Sequence, residues 1–192
     1  MSMHVIDWEE YISPHYPLSA IHHPLSLTIG VFDGVHLGHQ ALIKRICNSP
    51  YIPAVVTFKQ NPLKITRPDS FAGDIYPLER KFRVLEESGV RLTVVIDFSE
   101  EFRKMSGRGF IDLLLGRRSV KLIALGLNFR CGCGLDTGVA EIRDLAEARG
   151  VETWVAGPVI DDGRPVSSSR IRESLSAGRI AEAERLLGRS LE

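Results

Sequence analysis

The pattern that most constrains this chain is a repeated handover from a short apolar run to a helical period. Leu25 to Phe32, Ile52 to Phe58, Leu92 to Phe98, Val120 to Gly126 and Val151 to Val155 are short runs rich in Val, Ile and Leu. They show little polar alternation, so they read as strands covered on both faces, as in a parallel sheet. Helical stretches follow them: Ala41 to Ile46, Pro77 to Gly89, Gly109 to Leu115 and Val139 to Gly150. In the second of these, Pro77 suits a first turn, Leu78, Phe82 and Leu85 form an apolar stripe, and Gly89 supplies the stop. Strands alternating with helices predict an α/β architecture, a doubly wound parallel sheet of about five strands with helices on both faces. At 192 residues the expectation is a single domain over 1–192, long enough to bury a real core.

Composition narrows the partners. Twenty-four basic residues face 24 acidic ones, so the chain lacks the basic excess of a nucleic-acid binder, and affinity for phosphate must be local. No stretch approaches the ~20 apolar residues of a membrane span, and the start, Met-Ser-Met-His-Val-Ile-Asp-Trp, is unlike a signal peptide. Three cysteines, few and odd in number, suit a reducing compartment. The expectation is therefore a cytoplasmic protein with neither nucleic acid nor membrane as partner. Residues 4 to 24, with Pro14, Pro17, Pro24 and the surface pair His22-His23, read as a packed strap of low regularity.

The residues Thr28 to Gln40 carry the strongest local signal. The run ends at Asp33-Gly34, a turn, and His36-Leu37-Gly38-His39 opens the next helix. A strand end feeding a helix N-terminus binds anions through free N–H groups and the positive end of the dipole. Positions three apart share a helix face, so His36 and His39 can reach one phosphate chain. Gly34 and Gly38 let backbone come close to a ligand. A zinc site joining these histidines to Cys131 and Cys133 is the competing reading, but Cys-x-Cys is not the usual loop of a structural zinc site.

Three further loops stand where such a sheet presents ligands, beyond the carboxyl ends of strands. Asn61-Pro62 follows the second run. Gly126-Leu-Asn128-Phe129-Arg-Cys-Gly132-Cys-Gly134 follows the fourth and demands sharp turns or close approach. After the fifth comes Ser167-Ser168-Ser169-Arg170-Ile-Arg172, where the serines suit a helix cap but two arginines sit at the positive end of the dipole. An anion between those arginines would remove the conflict. The polar connection Lys64 to Tyr76 reads either as a lid or as disorder, and Glu100-Glu101 as solvated acids at a helix start.

These residues resemble a known family. Gly30-x-Phe32-Asp33-Gly34-Val-His36-x-Gly38-His39 is similar to the signature of the HxGH nucleotidyltransferases, a Rossmann-like fold, and specifically of the FAD synthetase (FMN adenylyltransferase) module of prokaryotic riboflavin kinase/FAD synthetases. Thr57, Phe58 and Pro62 match the family's Thr-Phe-acidic-Pro-His-Pro stretch, although Lys59, Gln60 and Asn61 depart from it. Gly126, Asn128, Phe129 and Gly132 match its Gly-x-Asp/Asn-Phe-x-Phe-Gly loop. Leu78-Glu-Arg-Lys81 is similar to its Leu-Glu-x-Lys helix. Ser168, Ser169 and Arg172 match Ile-Ser-Ser-Thr-x-x-Arg. The likeness runs over about residues 25 to 189.

The resemblance implies ATP and FMN as substrates, FAD and pyrophosphate as products, and Mg²⁺ carried on the phosphates without a dedicated protein cage. It implies charge stabilisation by His36, His39, Ser168 and Arg172. Nucleotide and flavin contacts fall to Gly30, Phe32, Asp33, Gly34, Gly38, Asn61, Pro62, Gly126, Asn128, Phe129, Ser167 and Ser169. In two-function relatives a riboflavin kinase barrel follows where this chain stops, so a separate riboflavin kinase is implied. Two other readings stay open: an adenylyltransferase for a different phosphorylated acceptor, and a non-catalytic flavin- or nucleotide-binding homologue.

Overall fold

The computed structural model describes residues 2–14, 23–116 and 119–191. Its strands and helices, in chain order, are β1 (His4–Asp7), α1 (Trp8–Ile12), β2 (Leu25–Ile29), α2 (Leu37–Cys47), β3 (Ile52–Phe58), α3 (Leu63–Thr66), α4 (Leu78–Glu87) and β4 (Leu92–Ile96). Then follow α5 (Gly107–Gly116), β5 (Val120–Gly126), the short β6 (Arg130–Cys131) and β7 (Thr137–Gly138), α6 (Val139–Glu147) and β8 (Glu152–Ala156). The hairpin β9 (Ile160–Asp161) and β10 (Arg164–Pro165) leads to α7 (Ser168–Ser176) and α8 (Ile180–Leu187).

The main sheet has the order β1-β4-β3-β2-β5-β8, all pairs parallel. The strand order reverses between β2 and β5, the place where a doubly wound sheet opens a crevice for ligands. Leu25, Leu27, Ile29, Ala54 and Val56 face one layer with Phe110, Ile111 and Ile142 from α5 and α6, joined by Trp8 and Tyr11 of α1. Val55 and Ala124 face the other, with α2, α4, α7 and α8 supplying Ile43, Leu85, Ile171 and Leu186. Ser26 sits fully buried between them because its hydroxyl donates to Ile46 O of α2 at 2.9 Å.

The strand expected from Val151 begins at Glu152, and two expected runs end early, at Ile29 and Ile96. The sheet has six strands, one more than the five runs read as strands. The extra one, β1, lies in the stretch expected to be irregular; only Ile6 of its four residues is buried, so it carries no readable period. It pairs with β4 from His4↔Leu92 to Asp7↔Val95. His22 lies outside the described residues, and His23 is exposed. The connection 64–76 holds α3 and a single 3₁₀ turn at Pro68–Ser70, with Lys64 paired to Asp74 at 2.6 Å. No described helix is long and apolar enough to cross a membrane.

Candidate active site

The chain leaves β2 through a turn whose backbone few side chains tolerate. Phe32 (φ 52), Gly34 (φ 77) and Val35 (φ 43) all lie in the left-handed region, which for a β-branched residue is a genuine outlier and is held only where surroundings over-determine it. Here they do. Phe32 and Val35 are fully buried. Gln40 Nε2 donates to Val35 O at 3.0 Å and to Leu187 O at 2.7 Å, and Arg189 donates to Gly34 O and Val35 O at 3.3 and 3.1 Å. The end of α8 thus clamps the turn. The space over Gly34 is taken by Ile75 and Leu187, so its missing side chain serves packing within the protein rather than the ligand approach expected from the sequence.

His36 is the N-cap of α2: its Nδ1 accepts the His39 N–H at 3.4 Å. An acceptor nitrogen carries no proton, so the proton of the neutral ring is assigned to Nε2, leaving that atom as the donor. The two rings stack at 3.7 Å between centroids, with Phe32 4.9 Å from His39. Burial lowers His36 to about 4, and burial, His36 and Lys81 hold His39 well below the usual histidine range. Both rings are neutral near pH 7. His39 Nδ1 is buried with no hydrogen-bond partner among the described residues.

Asp33 joins three pieces of chain. Its Oδ1 accepts from Ile75 N–H and Tyr76 N–H at 2.9 and 3.3 Å, and its Oδ2 pairs with Arg172. Its carbonyl accepts from Ser168 Oγ at 3.0 Å. Burial raises its carboxyl, opposed by the Arg172 guanidinium and those two N–H groups. Arg172 also donates to Gly73 O at 2.7 Å. Ser167 caps α7 by accepting Arg170 N–H, and Val166 O lies 3.9 Å from a side chain built on Gly38, so the N-termini of α2 and α7 are neighbours.

The expected conflict at the start of α7 is resolved inside the protein. Arg170, 5% exposed, pairs with Asp161 at 2.9 Å and Glu182 at 3.0 Å and donates to Asp161 O at 2.8 Å. No external anion is needed there, because carboxylates from the β9–β10 hairpin and α8 supply the charge.

Asn61 is buried; its Oδ1 accepts Leu63 N–H at 3.1 Å, starting α3 on Pro62. It lines a cavity of about 270 Å³ with Asp33, Tyr76 and Lys81. The Gly126–Phe129 turn leaves the carboxyl end of β5, next to β2 in the sheet. Asn128 is exposed, and Phe129 packs against the layer of α5 and α6 on the opposite face from the histidines. Gly30 lies against the Phe32 ring, and Gly132 sits on the Gly107 backbone at the start of α5, the close approach that the glycine spacing demanded. Burial, with Asp136 and Glu141, pushes the Cys131 thiol up to about 12, while Cys133 is exposed. Among the described residues no group of three His, Cys, Asp or Glu is placed to hold a metal, so the histidine–cysteine zinc reading finds no support. Ser169, in the first turn of α7, is exposed, while Ser167 and Ser168 beside it are half-buried. Sequence reasoning gave no role to Lys81 or Arg189, although both stand in stretches already matched to the family.

Residues 18–170 match the FAD synthetase family. The chain belongs to that family. Among curated FAD synthetase relatives, the bifunctional riboflavin kinase/FMN adenylyltransferase of Escherichia coli (strain K12) is 32% identical over 169 residues, covering 84% of this chain and 53% of the relative. That of Bacillus subtilis (strain 168) is 31% identical over 180 residues, covering 91% and 57%. The chain thus spans about half the length of the curated relatives it matches. A crystal structure described as a macrolide-efflux protein from Streptococcus pneumoniae superposes with a TM-score of 0.81 at 25% identity, over 97% of this chain and 60% of the other. A Francisella tularensis pantoate-beta-alanine ligase shares the fold with a TM-score of 0.60 at 15% identity, over 97% and 85% of the two chains.

Proposed function

We propose that this FAD synthetase family member is an FMN adenylyltransferase. A phosphate oxygen of FMN attacks the α-phosphorus of ATP; the new P–O bond forms as the bond to the β-phosphate oxygen breaks, giving FAD and pyrophosphate. The observation that carries this reading is one carboxyl edge of the sheet on which two neighbouring helix N-termini, His36, His39, Ser168 and Arg172 meet. The attacking oxygen is already anionic near pH 7, so no general base is required. What remains is to position two phosphates and stabilise charge on the leaving pyrophosphate.

In this reading the histidines act as neutral hydrogen-bond donors rather than as acids, in keeping with their burial. Arg172 is satisfied by Asp33 and Gly73 without ligand, so triphosphate must compete with Asp33 for it. Mg²⁺ enters as part of the ATP substrate. No protein cage is arranged for it among the described residues, and Asp33 is already engaged. Asn61, beside Lys81 and Asp33 in the cavity, is assigned to the acceptor side.

The test is to incubate purified protein with ATP, Mg²⁺ and FMN and separate the products by chromatography. FAD with equimolar pyrophosphate is the expected result. Another phosphorylated acceptor consumed in place of FMN would overturn the acceptor assignment alone. Tight binding of ATP or FMN with no product from any acceptor would overturn the enzyme reading.

A further inference from the structure

Lys81 lies on α4, which contributes none of the groups assigned above, yet its side chain is buried, with only 7% of the residue exposed. Its Nζ donates to Phe58 O at 2.7 Å, Thr57 Oγ1 at 3.3 Å and Val31 O at 3.4 Å. Thr57 Oγ1 donates its own hydrogen bond to Val31 O at 2.9 Å. An ammonium has three protons and no lone pair. Three acceptors use it completely, so it cannot also reach a substrate phosphate.

The places it ties matter. Val31 leads into the Asp33–His36 turn, and Phe58 is the last residue of β3, just before Lys59 and Asn61. The β2–β3 ladder ends at Ile29↔Val56, with Gly30 N–H donating to Val56 O at 3.1 Å. Past that point Lys81 and Thr57 carry the pairing of the two chains onward. Burying a cation is costly unless it is hydrogen-bonded and charge-compensated. The compensation comes from Asp33 on the turn and Asp74 on the connection after α3, which oppose the effect of burial on Lys81. Neutral His39 of α2 is close enough to feel its charge. Lys59, Lys64 and Glu79 line the same cavity.

We propose that Lys81 is a positioning residue for adenylyl transfer: its ammonium fixes the histidine turn against the Asn61 loop and thereby aligns the acceptor phosphate with the α-phosphorus. This rests on the reading of the edge as an adenylyl-transfer site. A neutral amine has two protons and a lone pair, so deprotonation costs the junction one bond, either from Lys81 to an acceptor or, if the Thr57 hydroxyl turns to donate to the amine, the one from Thr57 to Val31 O, and so loosens it. Burial lowers Lys81 to about 8. Turnover therefore falls through an alkaline limb near that pH while the fold persists.

The experiment compares the full chain with Lys81→Met and Lys81→Arg by hydrogen exchange over residues 31–36 and 59–63, and by FAD formation from ATP, Mg²⁺ and FMN across pH 6.5–9.5. In Lys81→Met both segments exchange roughly tenfold faster while β4 is unchanged. Its kcat drops on the order of 10²-fold, the scale of a ~1 Å misplacement, with KM for ATP within about threefold, and the alkaline limb disappears. Lys81→Arg keeps the charge and recovers part of kcat.

Wild-type exchange in both segments of folded Lys81→Met, an unchanged kcat, or a persisting limb would each overturn the proposal. Should circular dichroism find Lys81→Met unfolded, the wild type decides: corrected for intrinsic rate, exchange in both segments must accelerate above pH 8, and flat protection refutes the tie. If wild type makes no FAD, the reaction reading fails, and the exchange data still decide whether Lys81 joins the two loops.

Discussion

Gly34→Ala tests how the histidine turn is held. At φ 77 an alanine adopts the left-handed region, at a cost of about 1–2 kcal/mol. Its Cβ would also meet Leu187 Cδ2 at 3.0 Å and Ile75 Cδ1 and Cγ2 at 3.1 Å, tighter than ordinary contact. Forcing α8 and the Ile75 segment apart adds about 1–2 kcal/mol of overpacking. The total is about 2–4 kcal/mol, which lowers Tm by about 4–16 °C in a chain of this size. Gly150→Ala is the control: its φ is 65 and no atom lies within 4 Å, so it carries the backbone cost alone. Urea denaturation of the two variants separates the terms. Equal losses would refute the claim that Ile75 and Leu187 brace the turn, and a loss below about 0.5 kcal/mol in both would refute the conformational cost as well.

Other outcomes follow from the same contacts. His36→Ala and His39→Ala each lower the rate of FAD formation by about 10² or more; near-normal turnover in either variant would remove that ring from the mechanism. Iodoacetamide followed by peptide mass mapping labels exposed Cys133 before Cys131, whose thiol stays protonated up to about 12. Glu182 is held at about 2 by its hydrogen bonds to Arg179, Arg170 and Ser174. Its ordinary value is higher, so the stability it contributes is full above about pH 4.5 and is lost as pH falls toward 2. Acid unfolding followed by circular dichroism is correspondingly shallower over that window in Glu182→Gln.

The sheet was legible because β2, β3, β4 and β5 are runs buried on both faces, from Leu25 to Ile29 and their counterparts. β1 was not, because an edge strand with one buried residue has no period to read. At the site, residues whose chemistry depends on local order were legible: Asp33-Gly34 makes the turn, His36 caps α2 and Ser167 caps α7. Long-range pairing was not. Nothing near Arg170 in sequence announces Glu182 as its partner, and nothing near Arg172 announces Asp33. The spacing that placed His36 and His39 on one face was right, but their neutrality comes from burial, which spacing does not report. The Lys81 position matched a family helix, while its function lies in carbonyls contributed by two other strands' ends.

The β1–β4 pairing has a consequence for how the chain acquires its shape. His4 aligns with Leu92, so a growing polypeptide exposes one side of the future sheet long before its complement exists. At about 5–20 residues per second, that interval is on the order of ten seconds. During it β2 and β3, joined through α2, can close on each other, whereas Trp8 and Tyr11 remain without the wall that buries them. The outermost strand is thus expected to be among the last additions to the nascent sheet, and the segment most open to a chaperone.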